Sequence, residues 1–189
     1  MANGTLKVSN IQTSSGSGTI TLGQSGETVD MSNGTMTLNS AMKMTPAFEA
    51  HITTEQNPSG GTDTKINFDN EIFDTDGAYD TSNKRFTVPS GGDGKYHFYC
   101  DACIGGSANS SLNQNYIYIY KNGVKTNMRA HFNTNNDGNG RYYQLTIGTT
   151  MALVAGDYIE AYGRADLASG TVEIRINESR FGGYKVIGA

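Results

Sequence analysis

The 189-residue chain contains no tryptophan, three prolines and two cysteines. No apolar run approaches the roughly 20 residues that cross a bilayer as a helix, so no membrane partner is expected. The opening MANGTLKVSN has one lysine and no apolar core, and does not read as a secretory signal. The chain is therefore expected to fold in a cytoplasm. Basic runs are also missing: 14 Lys and Arg are scattered against 18 Asp and Glu, for a net charge of -4. Phosphate binding needs clustered positive charge, so nucleic acid is not an expected partner. The cysteines stand as YCDACIGG, a CxxC without the second pair that would complete a zinc site. Strand alternation sends Cys100 inward beside Phe98 and Ala102 and Cys103 to the other face, which predicts free thiols rather than a redox centre.

Catalytic signatures are missing as well. There is no Gly-x-Ser-x-Gly elbow, no His-Glu-x-x-His and no phosphate-cradling loop. His51, His97 and His131 sit singly on expected strands, with His97 opposite Tyr96 and Phe98. No catalytic residue, cofactor or metal is assigned. The acidic stretch FDNEIFDTDGAYD, with Asp69, Glu71, Asp74, Asp76 and Asp80, admits two readings. Asp74-x-Asp76-Gly77 resembles the opening of a calcium loop, but the bidentate Glu that closes an EF-hand is missing. Asp also simply forms turns.

What is abundant is glycine, 24 residues, together with Thr, Ser and Asn. Residues 1–45 have no aromatic residue, and four segments there share one form: TLKVS, TITLG, TVDMS and TMTLN. Each places two apolar residues two apart, on one strand face. Two buried aliphatic side chains contribute at most about 3–6 kcal/mol. Ordering five residues costs roughly 5–10 kcal/mol. One copy is marginal alone, whereas several chains round one axis share an apolar stripe. The expectation is a collar or anchor over 1–45, formed by Ile20, Leu22, Val29, Met31, Met36 and Leu38. A disordered leader is the alternative on composition.

Residues 46–189 read as all-β. Expected strands cover 47–53, 65–68, 84–88, 95–104, 116–120, 125–132, 141–147, 157–162, 171–176 and 181–187, separated by Gly-, Asn- and Asp-rich turns. Frequent short strands predict a sandwich or jelly roll. NTNNDGNG reads as a long hairpin tip, suited to contacting another molecule. In NYIYIYKNG, Tyr116, Tyr118 and Tyr120 share one face and Ile117 and Ile119 the other. A sandwich strand buries only one face in its own core, so the tyrosines are either solvated or meet a neighbouring subunit.

The ordered set Phe48-x-Ala50, Tyr79-Asp80, Phe86-x-Val88-Pro89, Gly94-x-Tyr96-x-Phe98, Asn122-Gly123, Gly156-Asp157 and Phe181-x-Gly183 resembles the globular head family of complement subcomponent q. That family shares its jelly roll with tumour necrosis factor. The resemblance implies a jelly-roll sandwich of about ten strands, a compact homotrimer, and binding or structural work rather than catalysis. Phe48, Phe86, Tyr96, Phe98, Tyr116, Tyr118, Tyr120 and Phe181 are then head-core or trimer-contact residues. Vertebrate members follow a collagen stalk, which this chain lacks. Thr-rich repeats stand in its place, an arrangement that looks like bacteriophage virion proteins with β-structured shafts.

Three functions compete. The first is a capsid decoration, or cement, protein on the virion surface, with the chain itself and the major capsid protein as partners. The second is a tail-fibre or spike tip, partnered by a tail protein and a host surface glycan or receptor. The third, a glycan depolymerase, needs carboxylates about 5–10 Å apart in a cleft, and no motif points to them. If the N-terminal stripe is a shared core, Ile20→Asp with Leu22→Asp lowers the thermal stability of the oligomer and its sedimentation coefficient at low concentration. An unchanged oligomer would show that the stripe is not shared.

Overall fold

The computed structural model describes residues 42–134, 140–176 and 178–187, and before them 25, 26, 28, 34, 35, 37 and 38. The chain divides into two compact units, Met1–Thr37 and Leu38–Ala189. All strands among the described residues lie in the second. Ile20, Leu22, Val29, Met31 and Met36 of the expected collar fall outside the described residues. Leu38 is half-buried.

Among the described residues twelve strands form two antiparallel sheets. Sheet one contains β1 (Ala47–His51), β3 (Asn70–Asp74), β6 (Gly94–Gly106), β9 (Tyr142–Leu153), β11 (Val172–Ile174) and β12 (Arg180–Lys185). β9 pairs along β6 from Gly94 to Gly105, while β12 and β11 share the other side of β6. β1 and then β3 complete the sheet, leaving β9 and β3 at opposite edges. Sheet two contains β2 (Thr64–Lys65), β4 (Tyr79–Asp80), β5 (Arg85–Thr87), β7 (Leu112–Lys121), β8 (Val124–Asn133) and β10 (Tyr158–Leu167). Its order is β4-β5-β10-β7-β8, with β2 also on β10.

The period-2 pattern of β6 shows why the layers form. Tyr96, Phe98, Cys100 and Ala102 are fully buried, while His97, Tyr99 and Asp101 between them are partly exposed. Ile117 and Ile119 of β7 and Ile159 and Ala161 of β10 meet this row from sheet two in one core. Rings bridge the gap: Phe48 lies 4.8 Å from Tyr79, 5.1 Å from Phe86 and 5.1 Å edge-on from Phe181.

Several sequence expectations need correction. Only Thr64 and Lys65 pair as a strand where 65–68 was expected, although Ile66 and Phe68 are buried. The acidic stretch is not all turn, because β3 and β4 run through it. β3 escapes an alternation search because its register shifts between Glu49 and Ala50 of its partner, leaving Ile72 and Phe73 both exposed. NTNNDGNG does not join a hairpin. Its flanks β8 and β9 belong to different sheets, and residues 135–139 lie outside the described ones. Composition marks a turn there without saying which sheet the chain enters next. KNGV is a true hairpin: Lys121 pairs Val124, and Asn122 and Gly123 have φ of 53° and 73°. Positive φ at both positions is what a type I′ turn requires.

Asp157 ties this hairpin to the β9–β10 turn. Its carboxylate accepts from Asn122 Nδ2 (2.7 Å) and Val154 N (3.0 Å) and pairs with Lys121 Nζ (2.8 Å). Hydrogen bonds from Lys121 and Asn122 lead in holding its pKa down at about 2, from an ordinary 3.8. A folded-state pKa below the unfolded value gives stability that is complete above the unfolded pKa and lost as pH falls through the folded one. Asp157→Asn is therefore expected to cost about 1–2 kcal/mol at pH 7 and to flatten the stability profile between about pH 4 and 2, read by urea unfolding. An unchanged profile would refute the assignment.

Candidate functional site

Function on a filled sandwich must lie on its faces, edges or loops. Phe48, Phe86, Tyr96, Phe98 and Phe181 are at most 1% exposed and belong to the core, leaving none of them available for contact with another chain. The remaining candidates, Tyr116, Tyr118 and Tyr120, line the outer face of sheet two.

These tyrosines do not offer open rings. His131, Tyr116 and Tyr118 stack in file, at 4.4 and 5.5 Å and within 9° of parallel. Lys125 Nζ caps the far end, 3.3 Å from the Tyr118 centroid. Tyr120 stacks on Tyr162 at 3.8 Å. Both faces of Tyr116 and Tyr118 are thus occupied within the chain. Asp63 Oδ2 accepts from Tyr120 Oη (2.9 Å) and Lys125 Nζ (2.8 Å). Lys65 pairs with the buried Glu160 at 2.5 Å. Burial, and then the Asp63 hydrogen bond, push the Tyr120 pKa up. Tyr120 therefore keeps its proton and donates to Asp63 at neutral pH.

The outer face of sheet one was not anticipated. β1, β12 and β6 bring Glu49, Gly182 and Tyr99 into one row. Tyr99 lies over Gly182, whose added Cβ would stand 2.3 Å from Tyr99 Oη. That passage lets Tyr99 Oη donate to Glu49 Oε2 (2.5 Å), while Arg180 Nη1 donates to Glu49 Oε1 (2.7 Å). Burial alone would raise the Glu49 pKa, but these two hydrogen bonds outweigh it and hold it below its usual value. His97 bonds Thr150 Oγ1 (3.1 Å) and packs on Tyr184, and His51 lies in the next row with Arg180 and Asp101. Glu49 and Gly182 stand at the variable positions of Phe48-x-Ala50 and Phe181-x-Gly183 and carry no local signal; only the strand register unites them.

The acidic loop is used internally. Asp74 accepts from Asp76 N and Tyr79 N, and Asp69 accepts from Thr53 N and Oγ1. Among the described residues no group of three or more His, Cys, Asp or Glu could hold a metal ion. Cys100 and Cys103 are both buried and free. Burial first, then a hydrogen bond with Glu178, pushes the Cys103 thiol up to about 12, so it supplies no thiolate near neutrality. A cleft of about 560 Å³ lies between residues 57–61 and 166–172. Its one carboxylate, Asp166, is engaged by Arg164 and Gln114 and has no second carboxylate opposite.

Opposite edges carry exposed apolar side chains. Ile72 and Phe73 on β3 are 47% and 46% exposed, and Met128 and Phe132 on β8 are 40% and 36% exposed. Phe132 stacks at 4.0 Å on Tyr143 of β9, so β8 and β9 form one edge. Neither edge emerged from the alternation pattern, because exposure depends on where the sheets end.

Glu49→Ala leaves Tyr99 Oη and Arg180 without their partner and is expected to cost about 1–2 kcal/mol. Tyr99→Phe should cost less, and the double substitution less than the sum, measured by urea unfolding in a double-mutant cycle. Strict additivity would show that the three groups do not act as a unit.

Among known protein families, the C1q domain matches residues 47–186. A comparison with curated proteins finds no match. Among solved structures, the globular domain of zebrafish complement 1qA protein matches with a TM-score of 0.51 and 13% identity, covering 75% of this chain and 97% of that one. Murine APRIL matches at 0.54 and 12%, over 74% and 98%. Eiger TNF from S. frugiperda matches at 0.53 and 11%, over 76% and 93%. At such identities the structural likeness is one of fold, while the family match spans the whole sandwich: the chain belongs to the C1q domain family.

Proposed function

We propose that this chain is a non-enzymatic, homotrimeric protein of a bacteriophage virion surface, made in the host cytoplasm, and that it decorates and stabilises the capsid. The observation carrying the self-association is the pair of apolar edges. Exposed strand edges bearing large apolar groups are liabilities unless covered. Ile72 and Phe73 on one edge and Met128 and Phe132 on the other are different surfaces, so joining them is a heterologous contact. Repeated round an axis, such a contact closes into a ring. C1q and tumour-necrosis-factor-like domains commonly form homotrimers, which agrees with closure at three.

Placement on a virion rests on the Thr-rich repeats of residues 1–45, with Ile20, Leu22, Val29, Met31, Met36 and Leu38 as the axial stripe. A collar of that kind anchors a head whose described surface offers a cleft without paired carboxylates. The capsid protein is the partner in this reading. A tail-fibre tip is the second reading, favoured by one observation: an exposed recess on β8 lined by Lys125, Asn127 and Arg129, of which Arg129 has no acidic partner among the described residues.

Phe73→Asp or Met128→Asp, each placing a charge in the contact, should convert trimer to monomer in sedimentation while leaving the circular dichroism of the sandwich intact. A wild-type monomer would overturn the assembly. Particles lacking the protein should lose resistance to heat, and equal resistance would refute the cement role.

A further inference from the structure

The geometry points to an oxyanion site in the bulge of β8, which takes carboxylate or phosphate groups of an acidic polysaccharide. This rests on the proposed placement at a virion exterior, where surface polymers are met. The bulge is built rather than incidental. Tyr118 pairs Arg129 and Tyr120 pairs Lys125, so Thr126, Asn127 and Met128 stand against Ile119 alone. Thr126 Oγ1 holds the shape by donating to Ile119 O (2.6 Å) and accepting from Met128 N (3.2 Å). The result is an open recess of about 430 Å³ lined by Lys125, Thr126, Asn127 and Arg129. Bulges re-aim side chains in this manner next to functional sites.

Charge sets the class of ligand. The chain carries a net -4, yet β8, VKTNMRAHFN, contains a Lys, an Arg and a His and no carboxylate. Among the described residues Asp63 is the one carboxylate reaching this strand, and Lys125 and Tyr120 already engage it. Arg129 is exposed and has no acidic or aromatic partner among the described residues. Its guanidinium offers the planar fork that suits a carboxylate or phosphate, with the Asn127 amide and the remaining Lys125 protons beside it. Arg129 and His131 share the outward face of the strand, away from Met128 and Phe132 on the subunit-facing side. The site and the proposed contact therefore do not compete.

A single free guanidinium binds a lone anion weakly. Three copies on one trimer bind a polymer with repeated charges by avidity. This separates the polymer from free phosphate or a free sugar acid. The test titrates full-length protein at near-physiological salt with polygalacturonate, galacturonate monomer, inorganic phosphate, neutral dextran and single-stranded DNA. Saturable binding of polygalacturonate at least 10-fold tighter than its monomer or phosphate is expected, with none to dextran. Arg129→Gln should weaken it at least 10-fold, and Arg129→Lys less. Equal binding by Arg129→Gln, or tighter binding of DNA than of the polysaccharide, would overturn the site. Sedimentation of the same samples keeps the readings apart. A monomer that still loses anion binding on Arg129→Gln refutes the trimer and retains the site.

Discussion

The ring of Phe48 is the contact on which the two sheets depend. It leaves β1 in sheet one and lies between Tyr79 and Phe86, at 4.8 and 5.1 Å, with Phe181 edge-on beside it. Packed sheets stand about 10 Å apart, a gap that interleaved rings fill without a cavity. Removing a buried Phe side chain costs about 3–5 kcal/mol. A domain's net stability is about 5–15 kcal/mol, so this position carries a large share of it. Fixing Phe48 inward also fixes its neighbours. Glu49 and His51 must then face outward, and Glu49 meets Tyr99 and Arg180 because β12 and β6 keep the register that Phe181 and Phe98 set from inside.

The outer layer of sheet two obeys the same logic with the opposite result. Ile117 and Ile119 face the core, which forces Tyr116, Tyr118 and Tyr120 outward on one row. Their rings gain more from one another than from solvent, since offset stacks and a cation over a ring each contribute about 0.5–1.5 kcal/mol. Tyrosine enrichment on a strand suggests a surface open for stacking, and here it produces a closed file capped by Lys125 and His131. Among the described residues the groups left free beside it are Arg129 and Asn127, which are polar donors. The chemistry of that face is therefore anion recognition rather than ring-on-ring contact.

The parts legible in the sequence are those governed by the strand period and by turn chemistry. Phe98, Cys100 and Ala102 alternate with His97, Tyr99 and Asp101, and Asn122-Gly123 specifies its own turn. The parts that were not legible depend on pairings distant in sequence. Glu49 and Arg180 are 131 residues apart and form an ion pair only because β1 and β12 are neighbours. Cys103 was placed correctly on the face opposite Cys100, yet it is buried too, because Arg175 and Ser179 lie against that end of β6: Arg175 N donates to Cys103 O and Ser179 Oγ accepts from the Cys103 N–H. Alternation predicts which way a side chain points and not what later covers it. β3 was hidden for a related reason, since a register shift at Ile72 erases the period that defines a strand.

Two of the edge strands, β3 and β8, carry such irregularities. A regular exposed edge would add the edge strand of a second molecule as a continuing ladder, with register only weakly specified. A bulge interrupts the row of free N–H and C=O groups and twists the edge away, so ladder addition is disfavoured at β3 and β8. Side chains are then the remaining means of association, and they are also the more selective one. The same distortion turns Ile72 and Phe73 outward together on β3, and separates Arg129 from Lys125 by a recess on β8. One device thus blocks unregulated strand addition at these edges, sets out the apolar residues of the proposed subunit contact, and opens the polar recess on β8.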